Sequence, residues 1–173
     1  MQFFSGFSIS GEEYLLEEYL NSSIYSISGF SYGAIKALEV AKKSLASGKR
    51  VDSLQLISPA FFQLYDEKFK RVQKVAYSKN ADIYLKKFLD TCFYPYQKKI
   101  LQNKKHTLEE LDELLYYRWN IDDLKELVKQ GVKIEVYLGG KDSVIDAIGA
   151  KEFFLKVATV TYIKDANHFL QTN

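Results

Sequence analysis

Cysteine, histidine and long apolar runs are scarce in this chain, and each scarcity excludes a class of protein. The single cysteine, Cys92, cannot form an internal disulfide, so we expect a buried thiol in a reducing, cytoplasmic setting. The two histidines form no spacing typical of a metal site, and we expect neither a metal nor a cofactor. No apolar run approaches the roughly 20 residues of a membrane-spanning helix, and the first residues, MQFFSGFS, do not resemble a signal peptide.

The residues that are abundant predict one folded α/β domain. Of 173 residues, 47% are hydrophobic and 15% aromatic, enough to bury a sizeable core. Short β-rich runs alternate with segments of helical periodicity, which is typical of a parallel sheet flanked by helices. Strands are predicted near 1–4, 23–28, 51–58, 132–138 and 157–163. The range 62–128 contains helical patterns and no good strand, so we interpret it as a helical cap inserted into a single domain spanning 1–173.

The stretch SISGFSYGAIKAL contains the pattern Gly-x-Ser-x-Gly, centred on Ser31. The pattern alone is weak, because it also arises by chance. Its context strengthens it, since a nucleophile elbow needs a strand before the turn and a helix directly after it, and both are readable here. Gly29 and Gly33 would allow these elements to approach closely, and Gly48 is a plausible end for the helix. The pattern therefore favours Ser31 as a nucleophile over a serine that merely occupies a turn.

A serine nucleophile needs a histidine base and a carboxylate that orients it. His168, in YIKDANHFLQT, follows the last predicted strand, where hydrolases of this type carry their base. His106, before a helix capping box formed by Thr107 and Glu110, is interpreted as a solvated residue. Asp142 follows the strand VKIEVYL and is the preferred acid, although a turn residue there is the alternative. Asp146 is the fallback, with a stabilising role at a helix N-terminus as its alternative.

A tetrahedral intermediate also requires two amide donors for its oxyanion. The backbone N–H of Tyr32, directly after the nucleophile, is one candidate. The backbone N–H of Phe7 is the other, because Gly6 permits a bend after the first predicted strand. SGFS could equally be a plain turn between a strand and a helix. Since Gly6 lies so near the start of the sequence, we expect a truncated version of the hydrolase sheet.

Several segments together resemble one enzyme family. They are FFSGF, SGFSYGAIKALE, SLQLISPAFF, LVKQGVKIEVYLGGKD and KDANHFLQ, spread over essentially the whole chain. The chain is similar to the BioV-type pimeloyl-[acyl-carrier protein] methyl ester esterases, compact α/β-hydrolases of biotin synthesis. The resemblance implies a triad of Ser31, Asp142 and His168, and oxyanion donors at Phe7 and Tyr32. It also implies hydrolysis of the methyl ester on an acyl carrier protein that bears a pimeloyl methyl ester. Many hydrolases carry histidine where this chain has Ser5, so the shape of the oxyanion loop stays open.

Positive charge is concentrated within the predicted cap, as docking to an acidic carrier protein would require. Residues 66–105 contain eleven basic and four acidic side chains, a net charge of +7 in a chain whose total is +2. The docking candidates are Lys68, Lys70, Arg71, Lys74, Lys86 and Lys87. A solvated lysine-rich surface is the alternative, and no motif indicates nucleic-acid binding.

Aromatic residues are frequent in the same range, and a subset could line a channel for a seven-carbon acyl chain. The sequence does not indicate which ones. We expect a monomer. Two other functions stay open: a thioesterase or general short-chain carboxylesterase with the same triad, and a carrier-binding protein without chemistry.

Overall fold

A five-stranded parallel sheet forms the centre of the computed structural model, which describes residues 1–173. The strand order is β1-β3-β4-β6-β7, so each successive strand of the sheet lies beside the previous one. The strands are β1 (Gln2–Phe4), β3 (Ser26–Phe30), β4 (Ser53–Ile57), β6 (Lys133–Gly139) and β7 (Thr159–Ile163). A separate antiparallel pair consists of β2 (Ile9–Ser10) and β5 (Gln102–Asn103). The prediction of a mostly parallel sheet flanked by helices is confirmed.

The strand sequences explain their places in the sheet. Every residue of β3 and β4 is buried, as expected for central strands that are covered on both faces. In β7, Thr159 and Thr161 are exposed, in agreement with its position at the edge. The strand predicted at 23–28 lies later, at Ser26–Phe30, because the Asn21 side chain accepts a hydrogen bond from the Ser23 amide and holds a turn there.

Seven helices accompany the strands. They are α1 (Glu13–Leu16), α2 (Tyr32–Ala46), α3 (Glu67–Lys79), α4 (Ala81–Phe93), α5 (Leu108–Tyr116), α6 (Ile121–Lys129) and α7 (Ala147–Phe154), with a 3-10 turn at Glu17–Tyr19. Helix α2 packs on β1, β3 and β4. It ends where the sequence predicts, since Gly48 has a φ of 74° and donates to the Leu45 carbonyl, while Lys49 donates to that of Ser44.

Helices α3, α4 and α5 pack together between β4 and β6 in the sequence. The predicted capping box is confirmed at the start of α5. The Thr107 side chain accepts a hydrogen bond from the Glu110 backbone N–H, and the Glu110 side chain accepts one from the Thr107 backbone N–H. Helix α6 lies beside α2 instead, joined to it by an ion pair between Lys42 and Asp123, and leads directly into β6. The boundary of the cap at 62–128 stays a prediction.

The core between these layers is rich in aromatic side chains. Phe30, Phe61, Phe93, Phe154 and Phe169 are fully buried. Cys92 is also buried, as predicted, and burial raises the pKa of its thiol well above the usual value. None of the helices is both long and apolar enough to span a membrane.

Candidate active site

The candidate site lies at the carboxyl edge of the parallel sheet. Ser31 directly follows β3, Asp142 follows β6, and His168 follows β7. Because the carboxyl ends of parallel strands meet at one edge, three distant parts of the sequence converge there. No group of three or more His, Cys, Asp or Glu side chains is arranged to hold a metal ion.

The turn at Ser31 has the geometry of a nucleophile elbow. Ser31 has a φ of 53°, which L-residues rarely adopt, and its amide donates to the Ile57 carbonyl. A Cβ at Gly29 would lie 2.2 Å from the Gly33 carbonyl oxygen, and one at Gly33 would lie 1.9 Å from that of Phe4. Only glycine fits at these two positions, so the pattern read in the sequence is a steric requirement of the turn.

The structure brings Ser31, His168 and Asp142 together in one hydrogen-bonded chain. Ser31 Oγ lies 3.0 Å from His168 Nε2, and His168 Nδ1 lies 2.6 Å from Asp142 Oδ2. The His168 side chain is 1% exposed and that of Asp142 is fully buried, which shields both hydrogen bonds from water. In the neutral tautomer that this arrangement favours, Nδ1–H donates to Asp142 and Nε2 accepts the Ser31 hydroxyl.

The two candidate acids, Asp142 and Asp146, make different contacts. The second oxygen of Asp142 accepts the amides of Val144 at 2.8 Å and Ile145 at 3.2 Å, so the carboxylate is held from both sides. Asp146 caps α7 by accepting the Gly149 amide at 2.9 Å. The geometry therefore places Asp142 against His168 and gives Asp146 the stabilising role that was its alternative.

Two loops supply the candidate oxyanion donors. Tyr32 is the first residue of α2, where backbone N–H groups have no partner within the helix. Phe7 follows β1, and its backbone N–H donates to no group in the protein. The Phe7 side chain is buried, with its ring centroid 6.1 to 6.4 Å from those of Tyr32, Tyr77, Phe88 and His106.

His106 corrects one prediction, because it is half-buried and not a solvated residue. Its Nδ1 lies 2.6 Å from the Tyr77 hydroxyl, and its ring packs on Phe7. It therefore contacts Phe7 of the oxyanion loop and Tyr77 of α3, and it makes no hydrogen bond to Ser31.

Two residues that the sequence reasoning missed fix the catalytic loops. Asn167 is fully buried; its amide group donates to the Phe93 carbonyl and the Gln171 side chain, and accepts the amides of Phe169 and Gln171. This ties the His168 loop to the end of α4. Glu12 is fully buried and accepts the Gly6 amide at 2.7 Å. The sequence offered one signal for this orientation: Glu12 lies four residues before the buried Leu16, a spacing that places both side chains on the same face of a helix.

An ion-pair cluster joins the elbow to helix α5. The Tyr32 hydroxyl donates to Glu113 of α5 at 2.5 Å, and Lys36 donates to the other oxygen of the same carboxylate at 2.6 Å. Burial and the neighbouring carboxylate raise the pKa of the Tyr32 phenol. Burial alone would raise the pKa of Glu113, but the hydrogen bonds from Lys36 and Tyr32 outweigh it and leave that pKa below its usual value.

A mainly apolar chamber of about 330 Å³ lies between helices α3, α4 and α5 and the loop that follows Asp142. Val144, two residues after Asp142, forms part of its wall. Its other apolar walls are Phe62, Phe69, Ala76, Phe88, Leu111, Leu114 and Leu115, with Tyr84, Gln73, Lys87, Thr91 and Ser143 as polar members. The chamber therefore has the volume and lining of a site for a small, largely apolar ligand.

The predicted docking residues do not form one uniform surface. Lys68, Arg71, Lys86 and Lys87 are exposed and form no ion pair. Lys74 is half-buried and paired with Asp112. Lys70 is 6% exposed with its ammonium over the ring of Tyr116, so it offers no free charge to a partner, and we remove it from the docking set.

Comparison with solved structures identifies the architecture. No protein-family model matches the chain, and no curated protein matches its sequence. BioG from Haemophilus influenzae superimposes with a TM-score of 0.61 at 11% identity, over 98% of this chain and 88% of that one. The esterase EaEST from Exiguobacterium antarcticum gives 0.57 at 13% identity, over 97% and 85%. The naproxen esterase of Bacillus subtilis gives 0.54 at 18% identity, over 85% and 54%, so this chain spans about half of that enzyme. The chain has the α/β-hydrolase fold.

Proposed function

We propose that this protein is a serine hydrolase that cleaves carboxylic esters. The observation that carries the proposal is the buried chain from Ser31 through His168 to Asp142, with separations of 3.0 and 2.6 Å. An isolated serine hydroxyl is a poor nucleophile, and this arrangement provides the base that removes its proton and the carboxylate that stabilises the resulting imidazolium.

The reaction proceeds in two steps, acylation of Ser31 and hydrolysis of the acyl-serine. Ser31 Oγ attacks the ester carbonyl while its proton passes to His168 Nε2. The oxyanion that forms accepts hydrogen bonds from the backbone N–H groups of Phe7 and Tyr32. His168 then protonates the departing alkoxide, which leaves as an alcohol and creates an acyl-serine. Water, deprotonated by the same nitrogen, attacks the acyl-serine and releases the carboxylic acid, and the proton returns to Ser31.

The substrate we propose is the methyl ester of pimeloyl-[acyl-carrier protein], with methanol as the leaving alcohol. The resemblance to BioV-type esterases supports it, and so does the apolar chamber beside Asp142. Each methylene that the chamber removes from water contributes about 0.8 kcal/mol to binding. In this proposal the acyl chain lies in the chamber along Ser143 and Val144, next to Asp142, its distal ester extends from there to Ser31, and the thioester stays at the other end.

The exposed face of α3 is the docking surface we propose for the carrier. Lys68 and Arg71 flank Val72 and Val75, which are 55% and 59% exposed, in a groove that also includes Tyr116. A basic groove with an apolar floor complements an acidic amphipathic helix. Ala76 lines both this groove and the chamber, so an acyl arm could pass between the two at that residue.

Labelling with a fluorophosphonate tests the chemistry apart from the substrate. Wild-type protein should be labelled and Ser31→Ala should not; an unlabelled wild type would favour the carrier-binding protein without chemistry. A substrate panel then separates the ester-cleaving alternatives. Faster turnover of free short-chain esters would indicate a general carboxylesterase, and release of carrier thiol would indicate a thioesterase.

Charge reversal on α3 tests the docking surface. Lys68→Glu and Arg71→Glu should raise KM for carrier-linked substrate and leave turnover of free esters unchanged, with a larger effect at low salt. Lys49→Glu and Lys156→Glu are matched controls, because both lysines are exposed, unpaired and outside the cap. Equal effects of the four variants would contradict this surface.

A further inference from the structure

Glu12 is a carboxyl group buried without an opposite charge. Its residue is 0% exposed, one oxygen accepts the Gly6 amide at 2.7 Å, and the other, Oε2, has no hydrogen-bond partner. Burial raises the pKa of this carboxyl, and the amides of Gly6 and Glu12 and the Ser5 hydroxyl oppose the rise. Such a group is costly to bury, so its presence here calls for an explanation.

The position of Glu12 supplies that explanation. Gly6 and Phe7 are consecutive residues of the loop that provides the oxyanion donor. The Gly6 N–H is occupied by Glu12, whereas the Phe7 N–H donates to no group in the protein. A loop with both amides unoccupied could rotate either of them toward the substrate, and occupation of the first leaves only the second available.

The rest of the loop is held by side-chain packing and by a hydrogen bond from the Lys104 amide to the Ser8 carbonyl at 2.8 Å. The Phe7 ring lies among Tyr32, Tyr77, Phe88 and His106, and a Cβ at Gly6 would come within 3.0 Å of the Phe30 ring. These contacts fix where the loop lies. Of these contacts, the hydrogen bond to Glu12 is the one that engages a backbone N–H of Gly6 or Phe7, and so it sets which of the two amides is available.

We infer that Glu12 is a positioning residue that sets the oxyanion hole by occupying the Gly6 amide and directing the Phe7 amide at the reacting carbonyl. This inference rests on the proposed serine hydrolase chemistry. Glu12 itself touches neither substrate nor Ser31, and its effect passes through the loop backbone.

Substitutions separate this role from simple stabilisation. Glu12→Ala removes the acceptor and should lower kcat by roughly 10- to 100-fold with little change in KM, since removing an oxyanion donor outright costs about 10²–10³ in kcat. Glu12→Gln keeps an oxygen acceptor for Gly6 and should stay within a few-fold of wild type. Glu17→Ala changes an exposed glutamate nearby and is the matched control.

Amide spectra of protein labelled with ¹⁵N-glycine and ¹⁵N-phenylalanine provide a readout besides activity. The Gly6 resonance should move in Glu12→Ala and not in Glu12→Gln. The Phe7 resonance should shift when a fluorophosphonate forms its tetrahedral adduct on wild-type protein, and this shift should be smaller in Glu12→Ala.

The possible results separate failure of the proposed hydrolase function from failure of the inference about Glu12. Absence of an adduct on wild-type protein would overturn the proposed function and this inference with it. An active wild type whose kcat is unchanged in a folded Glu12→Ala variant, or equally reduced in Glu12→Gln, would overturn the inference alone. Should Glu12→Ala not fold, an unmoved Phe7 resonance in the wild-type adduct would do the same.

Discussion

Replacement of Asp142 by asparagine changes one atom of the site and should remove nearly all activity. The Asp142 carboxylate accepts the amides of Val144 and Ile145 on one oxygen and faces His168 Nδ1 with the other. In the variant, the amide oxygen can continue to accept the two backbone N–H groups, which places the new NH₂ against His168. The imidazole must then accept at Nδ1 and carry its proton on Nε2.

A histidine in that tautomer cannot accept the proton of Ser31. The loss expected from the wrong tautomer is about 10⁴-fold in kcat, or roughly 5.4 kcal/mol of transition-state stabilisation. The assay is kcat for a chromogenic ester, with thermal unfolding to show that the variant is folded. Asp146→Asn is the matched control: asparagine caps a helix as well as aspartate, so its activity should stay within about twofold of wild type. The reverse pattern, with activity lost in Asp146→Asn and kept in Asp142→Asn, would refute the assignment of the acid.

Three further variants test the surroundings of the site. Asn167→Ala should lower the free energy of unfolding by on the order of 3 kcal/mol and reduce kcat, because it removes one of the two hydrogen bonds to the buried Phe93 carbonyl and leaves the amides of Phe169 and Gln171 unpaired; calorimetry and ester turnover would show this, and an unchanged Tm would contradict it. Glu113→Gln should lower the free energy of unfolding at pH 7 by about 1 kcal/mol. The loss is small because the ion pair between Lys36 and Glu113 is partly exposed and water weakens it. Since the pKa of Glu113 is lowered below its usual 4.5, the wild-type advantage should be present above that pH and disappear as the pH falls through the folded-state pKa, and an advantage that persists in acid would contradict the contact. Ala76→Trp should fill the passage between the groove and the chamber and raise KM for carrier-linked ester only, whereas an equal loss on free esters would argue against this route.

The strands of the parallel sheet and the triad residues could be read from the sequence because most of their signals are local, whereas the order of the strands at the sheet edges could not. Gly29 is required by its close approach to Gly33 within the turn, whereas Gly33 is required by its approach to Phe4 of β1; the motif reports both positions directly. Asp142 and His168 lie in the loops that follow β6 and β7, and the fold then brings the strand ends together.

Burial of polar side chains could not be read in the same way, because it depends on contacts between distant segments. Lys70 looks like part of a solvated lysine-rich helix until Tyr116 of α5 packs over it. His106 meets Tyr77 of α3, and Glu12, within a run of acidic residues, differs from Glu13 only by facing the core. Each of these depends on which helix packs where, which the periodicity of one segment does not determine.

Hydrolysis of pimeloyl-[acyl-carrier protein] methyl ester by wild-type protein and by Ser31→Ala is the most direct test of the central claim. Mass spectrometry of the intact carrier reports loss of the methyl group, and a thiol reagent reports cleavage of the thioester in the same sample. We expect wild-type protein to remove the methyl group and leave the thioester whole, and Ser31→Ala to do neither. Demethylation that persists in Ser31→Ala would contradict the triad, and carrier thiol released as fast as methanol would contradict the proposed ester selectivity.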